Sequence, residues 1–212
     1  MDFIDQALED YVALGTSPES MLLTQLNRDT YANILMPRML SGHLQGRTLA
    51  MFSQMIAPKR ILEIGTFTGY SALCLAEGLQ PDGLLYTIDI NEELENMVQD
   101  YFKQSGIGHK LRQMIGEATK IIPTIDEQFD LVFIDADKGN YSLYYDLVFD
   151  KVKSGGYIIA DNILWSGKVL TDDPKDKDLN AIKAYNIKVR NDTRVTCVIL
   201  PIRDGLSVAR KL

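Results

Sequence analysis

From residue 60 onward the sequence alternates between short apolar runs and helical patterns, and this alternation restricts the fold more than any other feature. The clearest helical pattern follows Asn91, a good N-cap, and Gly106 comes just past its end. Strands that alternate with helices predict a parallel sheet covered by helices on both faces. The apolar runs assigned to strands are Ile61–Ile64, Leu84–Ile88, Leu111–Ile115, Leu131–Ile134 and Tyr157–Ala160.

The end of the chain carries a different pattern. Arg194–Leu200 and Leu206–Lys211 are two strand patterns that are separated only by residues 201–205. So short a link can form a hairpin but cannot form a parallel crossover. The sequence therefore predicts a mostly parallel sheet of seven strands with one antiparallel strand at or near an edge, which distinguishes it from a plain dinucleotide-binding fold.

Three helical segments precede the strands. The first is the short amphipathic segment Ile4–Leu14. Ser17 as an N-cap and Pro18 at the first helical position predict a second helix that runs to about Leu35. A third helix is predicted over Gly42–Ile56, before the sequence Ala-Pro.

Length, composition and charge narrow the class of protein. A chain of 212 residues suits one α/β domain, with helices in residues 1–57 and a core in residues 58–212. The net charge of −7 disfavours a nucleic-acid partner without excluding one, because phosphate contacts need clustered Lys and Arg. We expect no membrane span and no secretory signal. Cys74 and Cys197 lie in apolar segments, so we expect buried thiols and a cytoplasmic location.

A glycine-rich turn follows the first predicted strand. Gly65 and Gly69 are spaced as Glu-x-Gly-x-x-x-Gly, whereas a pyrophosphate site favours Gly-x-Gly-x-x-Gly. Glu63 suits a ligand with an ammonium group, and Asp89, at the end of the second predicted strand, suits ribose hydroxyls. A tight structural turn and an exposed acid would explain each feature separately. Together they predict a site for an adenosine with a cationic tail, which describes S-adenosylmethionine.

Polar residues also follow the fourth and fifth predicted strands. Asp135 and Asp161 come directly after these strands, and ligands of open α/β sheets bind beyond the carboxyl ends of strands. Two carboxylates that lie close together favour a cation between them. With Asn162 they form a set of hard oxygen ligands that suits Mg²⁺, Ca²⁺ or Mn²⁺ rather than zinc. Lys138 is the candidate base. The alternative is a set of ordinary polar strand ends with a solvated lysine.

In these segments the sequence resembles the cation-dependent O-methyltransferases of the catechol and caffeoyl-CoA type. The resemblance runs from about Met36 to the end of the sequence. It implies a Rossmann-like class I methyltransferase fold with extra N-terminal helices. The motifs that carry it are residues 62–71 (LEIGTFTGYS), 129–141 (FDLVFIDADKGNY), 155–165 (GGYIIADNILW) and 200–205 (LPIRDG).

The resemblance also implies roles for individual residues. Lys138 would be the catalytic base, and Trp165 would face the acceptor. Asp135, Asp161 and Asn162 would bind the metal. The residues that would line the methyl-donor site are Met39, Glu63, Gly65, Phe67, Ser71, Asp89, Ala118 and Asp135.

Two features depart from the family pattern. Gly42 and Gln45 stand in a stretch where members commonly carry a proline and an acidic residue. The loop Thr171–Asp178, where acceptor-selecting loops usually lie, resembles no specificity class. His43, near the expected donor entrance, is interpreted as a satisfied or solvated histidine rather than a functional one.

The sequence therefore predicts an S-adenosylmethionine-dependent and divalent-metal-dependent O-methyltransferase that acts on a catechol-like vicinal diol. As in many members of the family, a homodimer is expected, with the N-terminal helices as a possible interface. One alternative is a tRNA hydroxyuridine O-methyltransferase, which the acidic composition disfavours. A nicotinamide-dependent dehydrogenase is disfavoured by the absent third glycine and by the terminal hairpin. A non-catalytic nucleotide-binding module is the remaining alternative.

Overall fold

A seven-stranded sheet forms the centre of the computed structural model, which describes residues 5–212. Its strands are β1 (Arg60–Ile64), β2 (Leu84–Asp89), β3 (Leu111–Ile115), β4 (Phe129–Ile134), β5 (Val152–Ala160), β6 (Val195–Leu200) and β7 (Leu206–Lys211). They are ordered β3-β2-β1-β4-β5-β7-β6. Strand β7 runs antiparallel to both of its neighbours, and the other pairs are parallel. The predicted sheet, with its antiparallel strand next to an edge, is confirmed.

Helices cover both faces of this sheet. They are α1 (Gln6–Gly15), α2 (Met21–Asn33), α3 (Gly42–Ile56), α4 (Tyr70–Ala76), α5 (Glu95–Gln104), α6 (Ala118–Ile121), α7 (Tyr141–Phe149) and α8 (Lys177–Asn191). Side chains of α6, α7 and α8 share one apolar cluster with Leu62 and Ile64 of β1. Side chains of α2 to α5 share a second cluster with Ile61. Successive residues of a strand face opposite sides, so β1 carries apolar residues for both clusters, and Glu63 is the polar side chain within its run Ile61–Ile64.

The N-terminal helices were predicted with mixed accuracy. Ile4, the predicted start of the first helix, lies outside the described residues, and α1 begins after the N-cap Asp5. The prediction that Ser17 caps the second helix was wrong. Ser20 caps α2 instead, because its hydroxyl accepts a hydrogen bond from the Leu23 amide. Helix α3 has the predicted bounds. None of the helices in residues 5–212 is long and apolar enough to cross a membrane.

The two cysteines differ in exposure. Cys74 is buried in α4, as predicted, whereas Cys197 is exposed. The prediction for Cys197 was wrong because β6 is the outermost strand of the sheet and residues 196–199 are all exposed. An apolar run on an edge strand therefore does not establish burial.

The carboxyl ends of β1, β4 and β5 adjoin at the centre of the sheet, where the strand order changes direction. The first residues beyond these strands continue the hydrogen bonding. Asp135 N donates to Ile64 O (2.8 Å), and Asp161 N donates to Ile134 O (3.0 Å). Gly65, which follows β1, has φ +102°, and a Cβ there would lie 1.8 Å from the Asp135 carbonyl oxygen. The strand tips therefore meet more closely than any residue other than glycine would allow.

We expect Gly65→Ala to lower the free energy of unfolding by about 2 kcal/mol or more, because backbone overlap adds to the strain of positive φ. Gly106→Ala is the matched control. Gly106 has φ +74°, but nothing lies within 4 Å of the position that an added Cβ would take, so only the conformational cost of about 1 kcal/mol applies. Urea denaturation of both variants measures the difference. Equal losses would contradict the importance of the close approach.

Candidate active site

A cleft of about 1520 Å³ opens beyond the carboxyl ends of β1, β4 and β5. Residues of α1, of the segment 36–44 and of the turn between β6 and β7 complete its walls. The cleft does not include Glu63, Asp89 or Ala118 among its lining residues, although all three lie on adjoining elements. The predicted site residues that do line it are Met39, Gly65, Phe67, Ser71, Asp135, Lys138, Asp161, Asn162 and Trp165.

Strand pairing brings the two predicted acidic ligands to the same wall of the cleft. Ile134 of β4 pairs with Ala160 of β5, so Asp135 and Asp161 emerge side by side. Asp161 is only 2% exposed. Burial, with the charge of Asp135 as a second cause, raises the pKa of Asp161 above the ordinary range of an aspartate. A cation between the two acids would stabilise their charged forms.

The ammonium group of Lys138 lies among these oxygens. Its Nζ donates to Asp135 Oδ1 (3.1 Å), to Asn162 Oδ1 (2.9 Å) and to the hydroxyl of Tyr141 (2.5 Å). One positive group thus already joins a carboxylate oxygen and an amide oxygen from two neighbouring strand tips. The predicted base and two of the predicted metal ligands are therefore in direct contact.

The polar side chains on this wall of the cleft have the chemistry that suits a hard divalent cation. Within residues 5–212 no group of three or more His, Cys, Asp or Glu side chains is arranged to hold a metal ion. Here a set of three ligands needs the Asn162 amide oxygen in addition to Asp135 and Asp161. All three supply oxygen, and the Lys138 ammonium already occupies a cation position between two of them. The residues present therefore fit Mg²⁺, Ca²⁺ or Mn²⁺.

The glycine-rich turn is fastened by Asp89. Its Oδ2 accepts hydrogen bonds from the amides of Thr66 (2.9 Å) and Phe67 (2.7 Å), and its Oδ1 accepts one from Asn91 N (2.9 Å). Phe67 has φ +47°, which is unusual for a residue with a side chain. Asp89 therefore holds the turn in an uncommon conformation at the floor of the cleft.

Unusual backbone conformations are concentrated around this cleft. Seven residues other than glycine have positive φ in the described part of the chain, and Ala57 is the one that does not line the cleft. Such conformations cluster at functional sites because the surrounding structure must hold them in place. The six that line the cleft are Met36, Phe67, Asn162, Trp165, Ser166 and Arg203.

A profile of the family described as O-methyltransferase matches residues 14–212. The chain belongs to this family. Tricin synthase 2 of Oryza sativa subsp. japonica is 33% identical over 180 residues, which cover 79% of this chain and 62% of that protein. Caffeoyl-CoA O-methyltransferase of Medicago sativa is 34% identical over 185 residues, which cover 79% of this chain and 73% of that protein. The chain spans less than two thirds of the length of tricin synthase 2.

Solved structures resemble this member of the family over nearly its whole length. The O-methyltransferase of Bacillus cereus, solved in complex with SAH, has a TM-score of 0.90 and 26% identity, and the match covers 97% of each chain. TomG of Streptomyces achromogenes, solved in complex with SAM, also has a TM-score of 0.90 and 26% identity, with 97% of this chain and 96% of that chain covered. The fold class and the family predicted from the sequence are confirmed.

Glu63 is fully buried beneath the cleft floor. Its carboxyl oxygens accept hydrogen bonds from the hydroxyls of Ser71 (2.6 Å) and Thr87. Burial is the main cause that raises the pKa of Glu63 to about 8, and the hydroxyl donors oppose it. Ser71, which does line the cleft, therefore connects this acid to any ligand above it.

Three polar residues near the site were not predicted from the sequence. Tyr141 is fully buried and accepts from Lys138. Its position three residues after Lys138, at the start of α7, was a usable signal. Gln45 of α3 donates to Asp161 Oδ2 (2.6 Å), and Arg203 donates to Gln45 Oε1 (3.1 Å). Nothing in the sequence pattern indicates these two contacts, because they join segments more than 100 residues apart.

Two further predictions concern the rim. His43 lines the cleft, and its Nε2 lies 2.7 Å from the Ser17 carbonyl oxygen, so one ring nitrogen is satisfied. This contact agrees with the interpretation of His43 as a satisfied histidine. Trp165 also lines the cleft and is half-buried, and the chain is kinked just after it, at Ser166 and Gly167, where φ is positive.

The raised pKa of Glu63 predicts a pH-dependent effect of Glu63→Gln. The unfolded glutamate ionises near pH 4.3, whereas the folded one holds its proton to about pH 8. The free energy of unfolding of the wild type therefore falls as pH rises between these values. We expect Glu63→Gln to raise Tm relative to the wild type by roughly 3 °C or more at pH 8, and by less at pH 5.

Thermal denaturation at both pH values tests this expectation. Glu93→Gln is the control, because Glu93 is exposed at the start of the helical region that follows β2. A Tm difference between Glu63→Gln and the wild type that is the same at pH 5 and pH 8 would contradict the assignment of a buried, protonated glutamate.

Proposed function

We propose that this chain is an S-adenosylmethionine-dependent O-methyltransferase that uses a divalent cation and acts on a catechol-like vicinal diol. The observation that carries the proposal is the meeting of three strand tips at one cleft. Gly65 follows the first tip, Asp135 the second and Asp161 the third. A glycine turn of the donor-binding kind thus adjoins a set of hard oxygen ligands with a lysine beside it.

The methyl donor is assigned to the part of the cleft around the glycine turn. Gly65, Phe67 and Ser71 belong to this turn or directly follow it, and they line the cleft together with Met39. Ser71 already donates to Glu63, so its oxygen is free to accept from an ammonium group of the donor. Two solved family members, matched over almost the whole chain, hold SAM or SAH.

Asp89 and Ala118 remain proposed donor residues outside the cleft lining. Asp89 is half-exposed, and each of its carboxylate oxygens retains acceptor capacity beyond the backbone bonds it receives. Its proposed partners are the ribose hydroxyls. Ala118 begins α6, shortly after β3 in the sequence, and is the proposed contact for the base of the donor.

The metal is assigned to Asp135, Asp161 and the Asn162 amide oxygen. Mg²⁺ is the proposed ion, and Ca²⁺ and Mn²⁺ also suit these ligands. A cation held there would act as a Lewis acid that lowers the pKa of an acceptor hydroxyl and fixes its direction. The preference for a vicinal diol rests on this role, since two adjacent oxygens can bind one ion.

Lys138 is assigned as the proton acceptor in its neutral amine form, which a cation held beside it by Asp135 and Asn162 would favour over the ammonium. Its Nζ lies within hydrogen-bond distance of two of the proposed ligands, so a hydroxyl oriented by them is within its reach. The buried hydroxyl of Tyr141 holds the lysine in this position. Trp165, which also lines the cleft, would contact an aromatic acceptor. The chemistry then requires mainly that the acceptor oxygen be aligned with the donor methyl group.

The proposal extends to assembly and location. A homodimer is proposed because α1 exposes Leu8, Tyr11 and Leu14, which are large apolar side chains on one of the N-terminal helices. A cytoplasmic location is proposed because both cysteines are free thiols.

We expect Lys138→Ala to lower kcat by about 10²–10⁴-fold, because the hydroxyl proton loses its acceptor. The affinity for S-adenosylhomocysteine, measured by calorimetry, is expected to stay near that of the wild type. Lys103→Ala is the control, since Lys103 is an exposed residue of α5 that pairs only with Asp100. A turnover number unchanged from that of the wild type would sink the assignment of Lys138.

Removal of divalent ions is expected to abolish methyl transfer to a catechol, and added Mg²⁺ is expected to restore it. The acceptor panel should contain a catechol, the matched monophenol and bulk tRNA. A vicinal-diol enzyme methylates the catechol at least about tenfold faster than the monophenol, because binding both oxygens aligns one of them. Equal rates in EDTA and in Mg²⁺ would refute the metal role, and methylation of tRNA alone would refute the acceptor class.

A further inference from the structure

Asp161 is linked through two side chains to the turn between β6 and β7. Gln45 Nε2 donates to Asp161 Oδ2 (2.6 Å), and Arg203 donates to Gln45 Oε1 (3.1 Å). Gln45 is 1% exposed, so water competes little for its amide. The three residues come from α3, from the end of β5 and from the β6–β7 turn. The contact therefore joins three separate parts of the cleft wall.

The orientation of the Gln45 amide is fixed by its partners. A guanidinium group can only donate, so it selects the amide oxygen, and a carboxylate can only accept, so it selects the amide nitrogen. The reversed amide would place two donors against each other on one side and two acceptors on the other. Arg203 thus ensures that Gln45 presents a donor to Asp161.

Arg203 occupies its position at a conformational cost. Its φ is +51°, a region that residues with a side chain adopt at an expense of about 1 kcal/mol or more. Its guanidinium also donates to the carbonyl oxygens of Leu40 and Ser41, just before α3. These bonds anchor the arginine at the helix that carries Gln45. A strained residue that is held by three acceptors beside a cleft indicates a specific role.

Both oxygens of Asp161 are consequently held before any ligand binds. Oδ1 accepts from the backbone N–H of Asn162 (2.7 Å), and Oδ2 accepts from the side-chain amide of Gln45. A carboxylate fixed at both oxygens cannot rotate, so its remaining lone pairs keep one direction. Metal affinity depends on such outer partners, which orient the ligands that touch the ion.

We propose that Gln45 and Arg203 are positioning residues that preorganise Asp161 for a divalent cation, with Arg203 acting through Gln45. This proposal rests on the metal site of the proposed function. Gln45 stands in the stretch where members of the family commonly carry an acidic residue. The neutral amide would here give Asp161 a donor, whereas an acid would repel it.

The test measures the binding of Mn²⁺ alone, by the loss of the free-ion signal in electron paramagnetic resonance. Gln45→Met keeps the length of the side chain but removes its donor. We expect it to weaken Mn²⁺ binding about 10–100-fold. The dissociation constant for S-adenosylhomocysteine should stay within about twofold of the wild-type value. Gln113→Met, a change of a glutamine on the far edge strand β3, should leave Mn²⁺ binding unchanged.

A double-mutant cycle tests whether Arg203 acts on Asp161 through Gln45. Arg203→Met is expected to weaken Mn²⁺ binding less than Gln45→Met does, because the amide itself remains. The double variant should bind Mn²⁺ no more weakly than Gln45→Met alone, since Arg203 acts through Gln45. Circular dichroism and thermal denaturation confirm that each variant is folded at the temperature of measurement. If one of the single variants does not fold, the Mn²⁺ binding of the other single variant decides the test.

The outcomes separate this proposal from the one on which it rests. If the wild type binds no Mn²⁺, the metal site itself is wrong and the positioning role falls with it. If the wild type binds Mn²⁺ and both folded single variants bind it equally well, the metal site stands and the positioning role is overturned. Additive losses in the double variant would refute the claim that Arg203 acts through Gln45.

Discussion

The parallel pairing of β1, β4 and β5 is the constraint on which the rest of the cleft depends. Backbone hydrogen bonds from Asp135 to Ile64 and from Asp161 to Ile134 extend the sheet one residue past its strands. The same pairing presses Gly65 against the Asp135 carbonyl. The main chain therefore determines where the acidic side chains emerge, and side-chain hydrogen bonds then determine how their carboxyl groups are oriented.

The concentration of acidic side chains at these tips has an electrostatic consequence. Four acids lie around the centre of the sheet, and each is compensated differently. Glu63 receives hydroxyl donors, Asp89 backbone amides, Asp135 the lysine ammonium and Asp161 a glutamine amide. Only one of these compensating groups, Lys138, is a full positive charge in direct contact. A region built in this way favours ligands that are themselves positively charged, such as a sulfonium compound or a divalent ion.

The sequence predicted the sheet closely because its signals are local. Period, length and turn residues located all seven strands, although β5 begins at Val152, five residues before the predicted apolar run, and the short link at residues 201–205 revealed the antiparallel strand. The meeting of Asp135 and Asp161 was also predictable, since consecutive parallel strands tend to be neighbours. Errors arose where two local signals competed or where exposure depends on tertiary context. Ser20 caps α2 in place of Ser17, and Cys197 lies on an edge strand that no helix covers. The contacts of Gln45 and Arg203 could not be predicted, because they join distant segments through single side chains.

The backbone bends that surround the cleft bear on how acceptor preference can change in this protein. Six residues with side chains that line the cleft have positive φ, a conformation that opposes folding by about 1 kcal/mol at each of them. The apolar clusters beneath must offset this total cost, which uses part of the small free energy of unfolding that a protein has. Substitutions at these positions, above all to β-branched residues, add to a cost that the protein already bears. The backbone conformation of the residues that line the cleft therefore limits which substitutions the protein tolerates there, whatever ligand the cleft binds.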